Sequence, residues 1–84
     1  MSGGAVFPQV TWTDVMTNSI VIGDMVRVKL HSYSGVVGEI HNGRYCEVLD
    51  IRDGDVIVSS IDGLTPSLSE THHSPNVLEK MVIA

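Results

Sequence analysis

The sequence has 84 residues, 43% of them apolar, and a formal net charge of −5. This length permits one small domain rather than two hydrophobic cores, and the apolar share excludes an intrinsically disordered chain. Nucleic-acid binders neutralise phosphates with Lys and Arg, and this chain has only five such residues, so the charge disfavours nucleic acid as a partner. Oligomerisation adds buried area to so short a chain, and an oligomer is therefore one expectation.

The cysteine count and the lack of recognisable targeting signals bear on the expected cellular compartment. Cys46 is the only cysteine, which excludes an intramolecular disulfide and a cysteine-based zinc site built from one chain. No basic segment followed by an apolar run marks a signal peptide, and no apolar stretch approaches the roughly 18 residues of a membrane-spanning helix. We expect a cytoplasmic protein without a membrane partner.

Residues 1–22 are predicted to be a partly flexible lead-in. This segment mixes apolar side chains with Thr, Asp and Pro, and residues 13–16 fit a single helical turn. Trp12 is the only tryptophan of the chain. It either caps one end of the core or serves as an exposed anchor for a partner protein.

A small β-barrel domain is predicted over residues 23–84. Its first strand covers residues 25–30, where Val26, Val28 and Leu30 alternate with Met and basic side chains on the other face. A period of two is typical of a half-buried strand. The many Val and Ile residues support this interpretation, because β-branched side chains pack well on a pleated surface.

A three-strand meander over about residues 36–61 is the centre of the predicted fold. Asn42-Gly43 and Asp53-Gly54 are each a preferred filling of a two-residue type I′ turn. The turns predict one strand before residue 42, one between the two turns and one after residue 54. They also predict the register, in which Leu49 faces Val58.

That register divides the meander into two faces. The apolar face is predicted to contain Val36, Ile40, Tyr45, Leu49, Ile51, Val56 and Val58. The opposite face carries charged side chains together with Val37, Val48 and Ile57. A face that mixes β-branched and charged residues is typical of a protein–protein contact.

The last part of the chain is predicted to be a long loop over residues 64–76, followed by a strand over residues 77–84. Five strands result. A sheet of five that curls until its first and last strands meet has no free edges. The predicted fold class is therefore all-β, a small five-stranded barrel.

Two segments resemble the opening of an SH3-like barrel of the KOW-like kind. Gly23-Asp24 precedes the alternating strand, and Gly35-Val36-Val37-Gly38-Glu39-Ile40 follows a polar loop. The resemblance covers about residues 22–61 and implies binding of RNA, or of ribosomal and transcription partners, through basic loops. The loop at residues 31–34 departs from that pattern, because it has no Lys or Arg.

The same region is similar to type II, plasmid-encoded dihydrofolate reductases, which are short barrels that act as tetramers around one shared pore. The similarity lies in Gly23-Asp24-x-Val26-Arg27-x-Lys29, in Gly35-x-x-Gly38-x-Ile40 and in Tyr45-Cys46. It implies a small oligomeric enzyme that binds NADPH. Those enzymes line the pore with a Val-Gln-Ile-Tyr segment, whereas residues 55–59 here have neither Gln nor Tyr.

His72 and His73 are adjacent in the predicted loop, which makes them candidates for metal binding or partner contact. Neighbouring side chains diverge, so a metal site would also need His31 or His41 to converge on them. We expect solvated histidines and no metal. No phosphate-binding loop and no nucleophile paired with a base is visible, so we predict no catalytic residue and no cofactor.

The predicted function is a non-enzymatic protein-interaction or assembly module whose partner is another protein or a second copy of the chain. The alternatives are a KOW-like nucleic-acid or ribosome-associated module and a small oligomeric enzyme resembling type II dihydrofolate reductase. The candidate partner-binding residues are Trp12, Val37, Val48, Ile57, Arg44, Arg52, His72 and His73.

Overall fold

Six antiparallel strands form one sheet in the computed structural model, which describes residues 9–16 and 18–83. The strands are β1 (Val10–Asp14), β2 (Met25–Val28), β3 (Tyr45–Arg52), β4 (Asp55–Ser60), β5 (Thr71–His73) and β6 (Leu78–Ile83). Their order across the sheet is β1-β6-β2-β3-β4-β5. One short helix, α1 (Gly35–His41), and a 3-10 turn, Pro75–Val77, complete the described elements. The prediction of a mainly β protein is confirmed.

The sheet has six strands rather than five, and it is open. Within the described residues no pairing joins β1 to β5, the strands at its two edges. The predicted lead-in supplies β1, which pairs with β6, and the predicted loop over residues 64–76 contains β5. Both strands are short, and β1 lacks a turn signal next to it. The sequence pattern therefore does not reveal them.

The prediction of a three-strand meander is wrong in its first strand, because Gly35–His41 is helical. A type I′ turn needs positive φ at both central residues, and Asn42 has a φ of −60°. Asn42 instead ends the helix and bonds both backbone groups of Tyr33: its Oδ1 accepts from the Tyr33 N–H at 3.1 Å, and its Nδ2 donates to the Tyr33 carbonyl at 2.8 Å. These two hydrogen bonds connect the residues on either side of the helix.

The second predicted hairpin is confirmed. Asp53 and Gly54 have φ values of 50° and 81°, as a type I′ turn requires, and Arg52 pairs with Asp55 across the turn. The Arg52 side chain bonds Asp50 on its own strand, with 2.6 Å between Nε and Oδ2, rather than Asp55 across the turn.

A β-bulge after Val48 changes the register further along this hairpin. Val48, rather than Leu49, faces Val58. The extra residue turns the remainder of β3 over. The predicted apolar face is therefore wrong for residues 45–49, where Cys46 and Val48 are buried and Tyr45 and Leu49 are exposed. Ile51, between the bulge and the turn, pairs with Val56 and packs against the core as predicted.

The core lies on one face of the sheet and is small. Val26 and Val28 of β2 are buried as the alternation predicts, but Leu30 lies beyond the end of that strand and is exposed. The buried cluster consists of Val15, Ile20, Val26, Val28, Cys46, Val48, Val56, Val58 and Leu78. No helix in residues 9–16 and 18–83 is long and apolar enough to cross a membrane.

Candidate functional site

The face of the sheet opposite this core, here called the outer face, carries a row of side chains from four adjacent strands. Asp14 pairs with Glu79, Glu79 with Arg27, and Arg27 with Tyr45. Directly paired residues of neighbouring strands project from the same face of a sheet. The row therefore places two carboxylates, a guanidinium and a phenol next to one another.

Arg27 is the centre of this row. Its Nε donates to Oε2 of Glu79 at 2.7 Å, and its guanidinium carbon lies 4.3 Å from the centre of the Trp12 ring. The Trp12 and Tyr45 ring centres are 5.6 Å apart, so the two rings lean over the intervening strands β6 and β2. The hydrogen bond that Arg27 donates to Glu79 is the main cause that raises the pKa of Arg27, and Tyr45 adds to it. We call this arrangement the Trp12–Arg27–Tyr45 stack.

A cavity of about 440 Å³ adjoins the stack. Strand β2 and the two residues after it supply most of the lining, β3 supplies Tyr45, and β6 supplies Glu79. The lining residues are Arg27, Val28, Lys29, Leu30, Gly43, Tyr45 and Glu79. Cationic, anionic, aromatic and aliphatic groups thus meet in one concave site.

All five basic side chains of the sequence form ion pairs with carboxylates. The pairs are Arg27–Glu79, Lys29–Asp14, Arg44–Asp62, Arg52–Asp50 and Lys80–Asp24. The cations are distributed over the fold rather than collected in one patch. A phosphate backbone would have to compete with a carboxylate at every one of them.

Arg44, predicted to contact a partner, is buried instead, with 5% of its surface exposed. Nε and Nη2 donate to the two carboxylate oxygens of Asp62 at 2.8 and 3.0 Å. Nη1 donates to the Ile40 carbonyl, and Nη2 also donates to the Leu64 carbonyl. The Arg44 guanidinium holds the pKa of Asp62 at about 2. Arg44 thus connects the end of α1 to the segment after β4 and is not available to a partner.

The predicted contact face of Val37, Val48 and Ile57 does not exist as a surface. Val48 and Ile57 are each 1% exposed, whereas Val37 lies exposed on α1. The bulge in β3 turns Val48 into the core, and α1 removes Val37 from the sheet. Of the other candidates, Arg52 is exposed and Trp12 belongs to the stack described above.

His72 and His73 point in opposite directions because they are neighbours on strand β5. His72 is exposed, whereas His73 is 3% exposed and its Nδ1 lies 2.6 Å from the Tyr33 hydroxyl, in hydrogen-bonding contact. The ring of His41 packs edge-on against His73 with centres 5.2 Å apart, and its Nδ1 is buried without a hydrogen-bond partner in the described chain. Burial, together with the other histidines, lowers the pKa of His73 to about 4.

The buried histidine pair is not accompanied by a third ligand. Among residues 9–16 and 18–83, no three His, Cys, Asp or Glu side chains converge in an arrangement that would hold a metal ion. Cys46 is buried among core residues, and this burial, with Asp62 nearby, raises the pKa of its thiol to about 11. Such a thiol is a poor nucleophile at neutral pH.

The outer face also carries residues that are not among the predicted partner-binding residues, namely Arg27, Lys29 and Tyr45. The alternation of β2 does place Arg27 and Lys29 on one face, but nothing in the sequence indicates that β6 and β1 lie beside them.

Comparison with known protein families, with curated proteins and with solved structures finds no match to this chain.

Proposed function

We propose that this chain is a non-enzymatic assembly module that joins a second copy of itself through the free edge of β1. The observation that supports the proposal is the open sheet, whose edge strand β1 has no neighbour on its outer side among the described residues. An unpaired strand edge is a template for another strand. The other edge strand, β5, has only three residues and therefore offers a much shorter template.

The hydrogen-bonding directions along β1 are consistent with this role. The Val15 N–H donates to the Leu78 carbonyl on β6. Because these directions alternate along an antiparallel strand, the backbone groups of Thr11 and Thr13 also point towards β6, and those of Val10, Trp12 and Asp14 point away from it. These outward groups are the ones that an added strand would bond.

A symmetric antiparallel pair centred on Trp12 suits the side chains of this strand. Trp12 would lie opposite Trp12 of the second copy, Thr11 opposite Thr13, and Val10 opposite Asp14. Aromatic pairs and Thr–Thr pairs stabilise neighbouring strands, and no like charges face each other in this register. The strand contains no Lys or Pro, residues that commonly protect a free edge.

Sedimentation across the micromolar concentration range tests the proposal. We expect the wild-type chain to reach twice its monomer mass of 9.1 kDa. Val10→Pro/Asp14→Pro removes two outward N–H groups and leaves the N–H groups that face β6 intact. Each lost bond is worth about 1 kcal/mol, so the dimer dissociation constant should rise at least about tenfold.

The matched control is Val10→Ala/Asp14→Ala, which truncates the same side chains but keeps both N–H groups. It should dimerise much more tightly than the proline variant, and circular dichroism should show that both variants are folded. A wild-type chain that stays monomeric throughout the range would overturn the proposal, and so would equal dimerisation of the two variants. A closed SH3-like barrel has no free edge, so it predicts the monomer.

The two alternatives have weaker support. A KOW-like nucleic-acid module needs its basic side chains to converge, and here Arg44 is buried against Asp62 while Arg52 bonds Asp50. Both the KOW-like and the reductase resemblance depend on a strand at residues 35–40, a segment that is helical. These observations therefore favour the assembly module over both alternatives.

A further inference from the structure

The cavity beside the Trp12–Arg27–Tyr45 stack has the size and chemical variety of a small-molecule site. Its volume of about 440 Å³ falls in the range of about 300–1,000 Å³ that is common for ligand pockets. The cavity lies near the end of β2, which Leu30 follows, and near the beginning of β3, which Gly43 precedes. The lining contains no residue of β1, although Trp12 and Asp14 of that strand lie against Arg27 and Lys29.

The charge of this cavity differs from that of the chain. Arg27 and Lys29 contribute two positive charges to the lining and Glu79 contributes one negative charge, whereas the whole chain carries −5. Asp14, which pairs with Lys29, is not part of the lining, so the surplus positive charge of the lining becomes available when a ligand carboxylate replaces Asp14 at Lys29. A monoanion would match it, while a phosphate dianion would leave negative charge uncompensated next to Glu79.

Arg27 is oriented before any ligand arrives. Its Nε donates to Glu79, and its guanidinium carbon lies over the Trp12 ring. The guanidinium is a planar fork with five N–H donors, so the terminal nitrogens remain able to bond a carboxylate. Fixing a side chain in this way reduces the entropy cost of binding.

Lys29 provides a second, more adaptable donor. Its Nζ is 2.8 Å from Oδ1 of Asp14, but the Asp14 side chain is 80% exposed. Solvent screens an ion pair of this kind, which is worth at most about 1 kcal/mol. A ligand carboxylate inside the cavity can therefore take over the Lys29 ammonium at small cost.

Apolar surface forms the rest of the wall. Leu30 is 71% exposed and Tyr45 is 41% exposed, although both line a concave site. An aliphatic side chain and an aromatic ring that line the same cavity suit a flat apolar group, and covering them removes exposed apolar area from water.

We propose that this cavity binds a small organic carboxylate with an aromatic or other flat apolar body, its carboxylate on Arg27 and Lys29 and its body between Leu30 and Tyr45. The shared chemistry is a single carboxylate on an apolar group. Such a group occurs in a free aromatic acid and at the C-terminus of a peptide that ends in an aromatic residue.

Titration of the full chain with 3-phenylpropionate, followed by Trp12 fluorescence, tests this site. Trp12 is the only tryptophan and lies on Arg27, so a ligand that bonds Arg27 changes its surroundings. We expect saturation at millimolar or lower concentration. The amide of the same acid should bind at least tenfold more weakly, and inorganic phosphate should not compete.

A second arm separates the two sources of the carboxylate. A short acetylated peptide that ends in Phe is compared with its C-terminal amide. Tighter binding of the peptide acid than of 3-phenylpropionate supports a peptide terminus, and tighter binding of the free acid supports a small molecule. Equal binding of acids and amides would overturn the proposal, as would the absence of saturation or equal competition by phosphate.

Variants localise the binding. Arg27→Gln and Lys29→Gln should each weaken 3-phenylpropionate binding at least several-fold, and Arg27→Lys should not restore it because the planar fork is lost. Arg52→Gln removes an exposed cation outside the cavity and is the matched control. If Arg27→Gln melts at a lower temperature than wild type, its loss of binding could reflect lost stability, and the affinity of Lys29→Gln then tests the site. Unchanged affinity in Lys29→Gln would then place the ligand elsewhere.

Discussion

At the level of single residues, burial separates side chains that are alike or adjacent in the sequence. His72 is exposed and His73 is buried, although they are neighbours on β5. Arg44 is enclosed by Asp62 and two carbonyls, whereas Arg52 is exposed. Residue type and spacing predict none of these differences, because they depend on which segment covers each side chain.

The enclosure of His73 leads to a pH prediction. Its folded-state pKa of about 4 lies below the ordinary value of 6.5. Between these values the unfolded chain binds a proton that the folded chain does not bind, so the free energy of unfolding falls as the pH falls. A neutral ring can also accept the Tyr33 hydroxyl at Nδ1, where a protonated ring carries an N–H. The loss from pH 7 to pH 4 should be on the order of 2–3 kcal/mol.

Urea unfolding at several pH values between 7 and 4 measures this loss. His73→Gln cannot take up the proton, so its stability should change much less across the range, although it should be lower than wild type at pH 7. His72→Gln, the exposed neighbour, should keep the wild-type pH dependence. Asp62, with a pKa of about 2, loses its contribution only at lower pH. A wild-type pH dependence in His73→Gln would show that His73 is not the titrating group.

At the level of elements, α1 shows tertiary contacts overriding local preference. Gly and Val at residues 35–38 disfavour a helix, and seven residues are too few for a stable isolated helix. The helix forms because Asn42 bonds both backbone groups of Tyr33 and because Gly38 fits against the Tyr33 carbonyl. A side chain at residue 38 would meet that carbonyl and the Asn42 amide.

Gly38→Ala therefore gives an unusual prediction for a helical position. By helix propensity alone, Ala would stabilise the helix by about 1 kcal/mol. Here its Cβ overlaps backbone, so we expect a loss of about 1–3 kcal/mol in the free energy of unfolding, measured by urea denaturation. Val37→Ala, on the exposed side of the same helix, should change stability by less than about 1 kcal/mol. An equally or more stable Gly38→Ala protein would contradict the proposed close contact.

At the level of the whole molecule, the chain ends hold the sheet together. The last strand, β6, lies between β1 and β2, so residues far apart in sequence pair directly. Leu78 of β6 is completely buried and belongs to the core cluster. The sheet therefore depends on its last strand more than a meander of sequential hairpins would.

Two substitutions in β6 test this dependence. Leu78→Ala removes a fully buried side chain and should lower the free energy of unfolding by about 2–5 kcal/mol. Val82→Ala, on the same strand but 38% exposed, should cost less than about 1 kcal/mol. Thermal and urea unfolding give both values. Similar losses for the two variants would mean that β6 does not pack in the centre of the sheet as described.

Composition and short-range sequence patterns are sufficient to predict the class of the fold and its most local features. The β-branched composition predicts a mainly β fold, the alternation at residues 25–28 predicts the buried side of β2, and Asp53-Gly54 predicts the β3–β4 turn. These signals can be read because they act between residues a few positions apart. Asn42-Gly43 carries the same turn signal as Asp53-Gly54, yet a helix precedes it, because a short-range preference of about 1 kcal/mol is smaller than the tertiary contacts that oppose it.

The positions of the candidate sites depend on contacts between strands that are distant in the sequence. Trp12, Arg27, Tyr45 and Glu79 come from four strands, and they meet because β6 inserts between β1 and β2. The position of β1 at the edge of the described sheet likewise follows from the strand order. The burial of Val48 follows from one bulge. Pairing between distant strands depends on the balance of all the buried surfaces together, and no single stretch of sequence records that balance.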